Sequence, residues 1–266
     1  MKATITATAK YLPQKTLSNQ ELEKMVDTSN EWILSRTGIE NRHIVSDGEA
    51  TSDMCSQIAN QLLEKSGKSA DDIDLILVAT STPDFLVVST AALVQDKIGA
   101  KNAWGYDIVA ACTGFVYAME TGAKFIESGS YNNVIVIGAD TMSSIIDYTD
   151  RNTCVIFGDG GGGVLLEPTQ EETGIIDSIL HIDGSGHKYL TVPAGGSANP
   201  ASKETLDNKM HYVYQDGKTV YKFAVKNMAN VSKEILDNNK LQGSDVKLFI
   251  PHQANRRIID AAAKRC

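Results

Sequence analysis

The sequence predicts a layered α/β protein built from two related α/β halves, residues 1–172 and 173–266, with the second half incomplete. Three observations carry this reading. Apolar runs of strand length alternate with helix-length amphipathic segments along the chain, as in folds that pack helices on buried sheets. Some of those runs, such as Leu75–Ala79, are continuously apolar, which suits strands covered on both faces. Third, Leu62-Leu63-Glu64 through Asp72-Ile73-Asp74-Leu75-Ile76-Leu77 lies without a gap on Ile235-Leu236-Asp237 through Asp245-Val246-Lys247-Leu248-Phe249-Ile250, at an offset of 173. Both read helix, loop, Asp, apolar strand, as a duplicated unit does; any two helix–strand units would also look somewhat alike. On this register Cys266 falls on Leu93. The second copy is then expected to lack counterparts of the strand near Tyr106 and of the long helix after Cys112.

In chain order, Ile5–Ala9 reads as a strand. Ser18-Asn19-Gln20-Glu21 is a capping-box pattern opening a helix to about Val26. Helical spacing recurs over Glu31–Arg36, closed by Gly38, and over Ser52–Lys65, closed by Gly67. The strand Leu75–Ala79 is followed by a helix over Ser89–Ile98, a strand over Tyr106–Ala110 and a helix from Cys112 to just before Gly129. Val134–Gly138 reads as another buried strand. Val155–Phe157 and Val164–Leu166 flank a glycine run and read as a hairpin. Val246–Ile250 reads as the strand of the second copy, and a helix with Ile258, Ile259 and Ala262 turned inward closes the chain.

Bulk composition narrows the class. The 266 residues carry a formal charge of −8, with 42% hydrophobic and 22% charged residues, which is ordinary for a globular domain. The acidic balance argues against nonspecific nucleic-acid binding. No apolar run approaches the roughly 18 residues of a membrane span, and Met1-Lys2-Ala3-Thr4-Ile5 opens no secretory leader. The cysteines Cys55, Cys112, Cys154 and Cys266 are scattered, with no CxxC pair. A reducing, cytoplasmic setting is the simplest expectation. No convincing metal-ligand cluster is seen. Gly160-Gly161-Gly162-Gly163 lacks the Lys-Ser/Thr of a phosphate loop and reads as a tight turn and close-packed strand entry.

Asp107-Ile108-Val109-Ala110-Ala111-Cys112-Thr113-Gly114-Phe115 reads as a strand, a sharp turn carrying Cys112, and a helix. Gly114, Ala118 and Gly122 give that helix a small face for close approach, and its start is expected to be buried. A thiol at a helix N-terminus meets unpaired N–H groups that favour thiolate and that can bind a developing oxyanion. A buried structural cysteine is the competing reading of position alone. Downstream, Pro251-His252-Gln253-Ala254-Asn255-Arg256-Arg257 directly follows the second-copy strand, which places His252 at a strand's C-terminal end, where α/β ligand sites gather.

Together, D-x-x-A-A-C-x-G-F around Cys112 and P-H-Q-A-N-x-R-I around His252 resemble β-ketoacyl-[acyl-carrier-protein] synthase III, a family of thiolase-fold condensing enzymes. Further matching stretches are Met25-Val26-Asp27-Thr28-Ser29, Glu31-Trp32-Ile33, Arg36-Thr37-Gly38-Ile39, Asp150-Arg151 and Phe157-Gly158-Asp159-Gly160. The resemblance implies duplicated thiolase-like halves in an α-β-α-β-α arrangement. It also implies an acyltransferase that starts fatty-acid synthesis in a homodimer, with acyl-CoA as a substrate and no permanent cofactor. Cys112 and His252 would be catalytic. Trp32 would stack on the adenine with Arg151 on its opposite face, Arg36 and Thr28 would lie near the nucleotide, and Gly217 and Asn255 would lie along the pantetheine tunnel. Val87 stands where some members place an aromatic at the floor of the acyl pocket. Acyl carrier protein would dock on a local basic face formed by Lys222, Arg256, Arg257, Lys264 and Arg265.

Two departures bear on activity. The family's catalytic Asn, in a G-N-T/S-type motif, and a late glycine-rich loop are expected beyond the last residue. Asn152 sits where glycine is common. The leading reading is a priming synthase that uses acetyl-CoA or another short acyl-CoA. Its alternatives are a synthase making a specialised product from another primer, and a catalytically incomplete scaffold or dimer partner.

Overall fold

The computed structural model describes residues 1–265. Its strands are β1 (Lys2–Tyr11), β2 (Lys15–Ser18), β3 (Asn41–Ile44), β4 (Leu75–Ala79), β5 (Trp104–Ile108), β6 (Val134–Asp140), β7 (Gly160–Thr169), β8 (Leu190–Thr191) and β9 (Tyr214–Gln215). Its helices are α1 (Asn19–Leu22), α2 (Asn30–Thr37), α3 (Thr51–Ser66), α4 (Thr90–Ile98), α5 (Gly114–Glu127), α6 (Arg151–Cys154), α7 (Lys203–Asp207), α8 (Gly217–Asn238) and α9 (Arg256–Ala263). They gather into two compact units that interleave in sequence. The first takes Met1–Lys15, His43–Met142 and Gly158–Ser178; the second takes Thr16–Arg42, Ser143–Phe157 and the chain from Ile179 onward.

The first unit is built on a five-stranded sheet in the order β1-β7-β6-β4-β5. β4 runs parallel to both β5 and β6, while β7 pairs antiparallel with β6 and β1. Every residue of β4 is buried, because helices cover both faces of the sheet. On one face Met54, Ile58 and Leu62 of α3, spaced one turn apart, pack with Ile76, Val78, Ile135, Ile137 and Leu165. On the other, Ala118, Ala123 and Ile126 of α5 pack with Leu75, Leu77, Val134, Val136 and Leu166. Each large side chain so buried contributes about 1.5–3 kcal/mol. α3 ends at Gly67, whose φ of +69° suits a left-handed cap. α5 approaches the sheet through its small residues: a Cβ at Gly122 would lie 3.0 Å from Leu166 Cδ1.

The glycine run forms the expected close-packed strand entry, without the tight turn. Gly160–Gly163 opens β7 and pairs with both β1 and β6. Added Cβ atoms at Gly161 and Gly163 would come within 2.8 Å of Ile58, so bare backbone there lets α3 lie against the sheet. The hairpin expected from Val155–Phe157 does not form. Asp150 instead caps α6 through its bond from the Asn152 N–H (2.9 Å), and Val155 is that helix's C-cap.

In the second unit the buried Arg42 ties three segments together. Its guanidinium donates to the Val155 carbonyl and to Asn19 Oδ1, and burial lowers its pKa to about 10. The capping box at Ser18 and Glu21 forms as expected, but α1 stops at Leu22. The duplication is visible in detail. A 3-10 turn at Ala70–Asp72 has its counterpart at Gly243–Asp245, on the offset of 173. In both, the closing aspartate accepts a bond of 2.8 Å from the N–H three residues back, Ser69 or Gln242. The following strand is not repeated. β4 has a ladder partner on each side, whereas Val246–Ile250 is in no ladder among the described residues and leaves Leu248 and Ile250 exposed. Cys266 lies outside the described residues.

Candidate active site

The nucleophile turn grows out of the sheet. β5 is expected to reach Ala110 but stops at Ile108. Ala110 then leaves extended geometry (φ −145°, ψ 27°), and Ala111 takes a φ of +45°. A non-glycine residue held there costs on the order of 1–3 kcal/mol, and such strain collects at functional sites. Cys112 sits in the resulting 3-10 turn, Ala111–Thr113, with α5 beginning at Gly114. The turn is locked by Thr113, whose N–H and hydroxyl both donate to the Ala110 carbonyl (3.2 and 2.9 Å). Gly114 is needed because a Cβ would meet Ala79 Cβ at 3.1 Å. Asp107, at the head of the motif, caps α4 by accepting from the N–H groups of Thr90 (2.6 Å) and Ala91 (2.8 Å).

Two expectations about Cys112 are corrected. The start of its helix is not buried: Cys112, Thr113 and Val116 are exposed, and only the Gly114, Ala118, Gly122, Ala123 and Ile126 side faces inward. Nor is the thiol poised as thiolate. Protein atoms around it raise its pKa, Asp140 adds to the rise, and only its own backbone N–H opposes it. The reason is that α5 starts two residues later and Thr113 spends its N–H inside the turn. Solvent exposure governs access to the sulfur, while the flanking protein still costs the thiolate part of its hydration. Cys55 and Cys154 are buried; burial raises both thiols, that of Cys154 to about 11.

His252 lies in irregular backbone after the unpaired Val246–Ile250 segment, not at the end of a strand. His252 is exposed at the surface, yet the protein atoms around its imidazole cost the charged form part of its hydration and lower its pKa, which favours the neutral imidazole. Asn255 accepts from the Ile258 N–H (2.9 Å) and caps α9, so its amide oxygen has a structural duty. Gly217 opens α8 behind the cap Asp216, and a Cβ there would meet nothing within 4 Å.

Trp32, Arg36 and Arg151 are brought together. The Arg151 guanidinium lies over the Trp32 ring, 4.9 Å from its centroid, and that of Arg36 is 5.9 Å away. Arg151 Nη1 is steadied by the Asp27 carbonyl at 2.8 Å. Trp32 and Arg151 are thus in contact, not held apart as the two faces of a base site. A base between them needs about 7 Å, two van der Waals separations. Beside them, the shielded Thr28 hydroxyl has no hydrogen-bond partner among the described residues.

The basic residues Lys222, Arg256, Arg257, Lys264 and Arg265 are exposed. Ile258 and Ala262 bury the other side of α9, and Arg257 stacks over Tyr221 at 5.5 Å, next to Lys222. Val87 departs from expectation. It is 95% exposed on an apolar loop with Leu86 (91%) and Phe85, not at a pocket floor of its own chain. Asn152 donates to Asp150 within the α6 cap.

Two family models match the chain: 3-Oxoacyl-[acyl-carrier-protein (ACP)] synthase III over residues 106–184, and its C-terminal counterpart over 236–266. The chain is 57% identical to a β-ketoacyl-[acyl-carrier-protein] synthase III of Chlorobium phaeovibrioides, over 100% of this chain and 82% of that protein. It is 55% identical to the enzyme of that name from Koribacter versatilis, over 99% of this chain and 80% of that protein. The solved 3-oxoacyl-[acyl-carrier-protein] synthase III from Aquifex aeolicus VF5 superposes with a TM-score of 0.90 at 39% identity, over 99% of this chain and 80% of that one. These matches run along the whole of this chain, so the expectation of an interrupted second half is not borne out by them. At such identity and coverage, the chain belongs to the β-ketoacyl-[acyl-carrier-protein] synthase III family.

Proposed function

We propose that this chain initiates fatty-acid synthesis by condensing a short acyl-CoA with malonyl-[acyl-carrier-protein], with Cys112 and His252 as its reacting groups. The observation that carries the assignment of Cys112 is its strained, solvent-open turn at the end of β5, against the burial of Cys55 and Cys154. The Cys112 sulfur attacks the acyl carbonyl, a new C–S bond forms, and CoA leaves as a thiol with the proton that Cys112 gives up. Malonyl on the carrier then loses carbon dioxide, and the electron pair of the broken C–C bond passes to the thioester enolate. His252, whose neutral form is favoured by partial desolvation, donates a hydrogen bond to that oxygen. The carbanion attacks the acyl group, a C–C bond forms, and the Cys112 sulfur leaves as thiolate and takes a proton from solvent to restore the thiol. The products are a 3-oxoacyl chain on the carrier, carbon dioxide and CoA. The balance closes with acyl-CoA consumed as a substrate, and acetyl-CoA is the expected primer.

Trp32 is the stacking platform for the nucleotide base, reached when Arg151 swings aside. Arg36 and the unpartnered Thr28 hydroxyl stand beside it, and Gly217 and Asn255 line the path of the pantetheine arm. Carrier protein, which is acidic, docks on the α8–α9 face bearing Lys222, Arg256, Arg257, Lys264 and Arg265. The chain pairs with a second copy through the first unit, where β5 leaves a sheet edge open and Trp104, Leu86 and Val87 are exposed; an unpaired edge beside exposed apolar side chains calls for cover. Val87 would help line the acyl pocket in that assembly. The nucleophile belongs to residues 1–172 and the histidine to 173–266, the two halves of the duplication. No helix among the described residues is long and apolar enough to cross a membrane, and the thiols of Cys55, Cys112 and Cys154 are free, in keeping with a reducing cytoplasm.

The experiment is release of carbon dioxide from malonyl-carrier in the presence of acetyl-CoA, by the chain and by His252→Ala. Losing one oxyanion donor typically costs about 10²–10³ in rate, and a drop of that size is expected. Release at equal rates by both would remove His252 from the reaction, and no release by either would favour a non-catalytic scaffold.

A further inference from the structure

The C-terminal ends of β4, β5 and β6 converge on one aspartate that the reaction scheme does not use. Ala79 of β4 is in register with Ile108 of β5 and Gly138 of β6. One residue further, the Thr80 N–H donates to the Ile108 carbonyl (3.3 Å), four residues before Cys112. The corner formed by Thr80, Ser81 and Thr82 is held by Asp140 at the end of β6. A single oxygen, Asp140 Oδ1, accepts from the Ser81 N–H (2.7 Å), the Thr82 hydroxyl (3.0 Å) and the Thr80 hydroxyl (3.1 Å). The knot is buttressed from behind. The Thr51 hydroxyl donates to the Thr82 carbonyl (2.6 Å), and the Thr141 N–H donates to the Thr82 hydroxyl (2.9 Å). Thr51, Thr80, Thr82 and Thr141 are all buried.

Every one of those donors to Asp140 is uncharged; burial raises the carboxyl's own pKa, and the hydrogen bonds from Ser81, Thr82 and Thr80 oppose that rise. Buried charge normally finds a cation or a metal. The charge of Asp140 is felt at the nucleophile: after burial, it is the next cause of the rise of the Cys112 thiol. On α3, Cys55 also feels Asp140, together with Asp107, Asp84 and Lys97. Asp107 and Asp84 have their own duties, capping α4 and binding Ser52, and Lys97 pairs with Asp53.

We propose that Asp140 is a positioning residue for Cys112, locking the 80–82 corner that anchors the strand end before the nucleophile turn and placing there a carboxylate whose charge acts on the thiol. The arrangement biases the resting nucleophile toward the thiol, which reacts with electrophiles more slowly than the thiolate. The proposal rests on Cys112 being the acyl acceptor.

The test follows alkylation of Cys112 by limiting iodoacetamide across the neutral to alkaline range, mapped by peptide mass, in the full chain and in Asp140→Asn. The amide keeps an acceptor oxygen and removes the charge. Its midpoint should fall and its labelling at neutral pH should rise about three- to tenfold, one pKa unit being a factor of about ten in thiolate. A purely structural aspartate would leave the midpoint in place, and an unmoved midpoint overturns the charge role. Thr82→Val keeps the charge and loosens the corner. It should slow acylation of Cys112 by acetyl-CoA several-fold without lowering the midpoint, and Asp140→Ala should slow acylation further. Wild-type acylation in Thr82→Val overturns the positioning role, whether or not Asp140→Ala folds. If the unaltered chain takes the alkyl label at Cys112 but no acyl group, the nucleophile assignment fails, and the alkylation midpoint alone decides for or against Asp140.

Discussion

Trp32 and Arg151 show how a single contact changes a prediction. Both are legible as a pair from their motifs, but the sequence carries no hint that the guanidinium rests on the indole at 4.9 Å. A planar cation over an aromatic face contributes about 0.5–1 kcal/mol when exposed, small enough for an incoming base to displace. Stacking of a base on an aromatic ring is worth about 1–3 kcal/mol. Trp32→Ala should therefore raise the KM for acyl-CoA roughly tenfold or more while changing kcat much less, and Trp32→Phe should recover much of the loss. Steady-state kinetics with acetyl-CoA would check this, and an unchanged KM in Trp32→Ala would mean the indole is packing rather than platform. Asp140 was the residue hardest to see. Its signal, a lone carboxylate just after the buried run Val134–Gly138, is visible only once that run is read as a strand whose C-terminal end faces the same way as that of β5.

At the scale of elements, strongly patterned segments were legible. Leu75–Ala79 is strand to the residue, and the helices before Gly38, Gly67 and Gly99 end at those glycines, since only a left-handed cap fits there without strain. The misread segments are those decided by partners far away in sequence. Val246–Ile250 has the apolar pattern of a strand and, among the described residues, no ladder partner. The glycine run has the composition of a turn, yet its residues are dictated by α3, whose Ile58 needs the space that side chains would fill. This makes a contrast within one run. A Cβ at Gly163 would lie 2.8 Å from Ile58 Cγ2 and 2.9 Å from the Val136 carbonyl, whereas one at Gly162 meets only the Ala9 carbonyl at 3.5 Å. Gly163→Ala should cost about 1–3 kcal/mol by overpacking, and Gly162→Ala much less. Urea denaturation of the two variants would show it, and equal losses would contradict the packing account of β7.

For the whole molecule, the sequence pattern reached the layered α/β class and the family, because both rest on local motifs in a fixed order, and the same motifs supply Cys112 and His252 as the candidates proposed for the reaction. It did not reach the raised thiol of Cys112 or the exposure of Val87, which depend on what surrounds a residue and not on what precedes it in the chain. The proposed function assigns the nucleophile to the open turn of the first unit, and a histidine, a nucleotide platform and a basic docking face to the second. All of it requires that an acyl group be carried on one particular sulfur. The direct measurement is the intact mass of the chain after incubation with acetyl-CoA, with Cys112→Ser alongside and peptide mapping to locate the adduct. The account predicts a gain of one acetyl group, located on Cys112, discharged by malonyl-carrier and absent from Cys112→Ser. An adduct that persists in Cys112→Ser, or an unaltered chain that gains none, would contradict it.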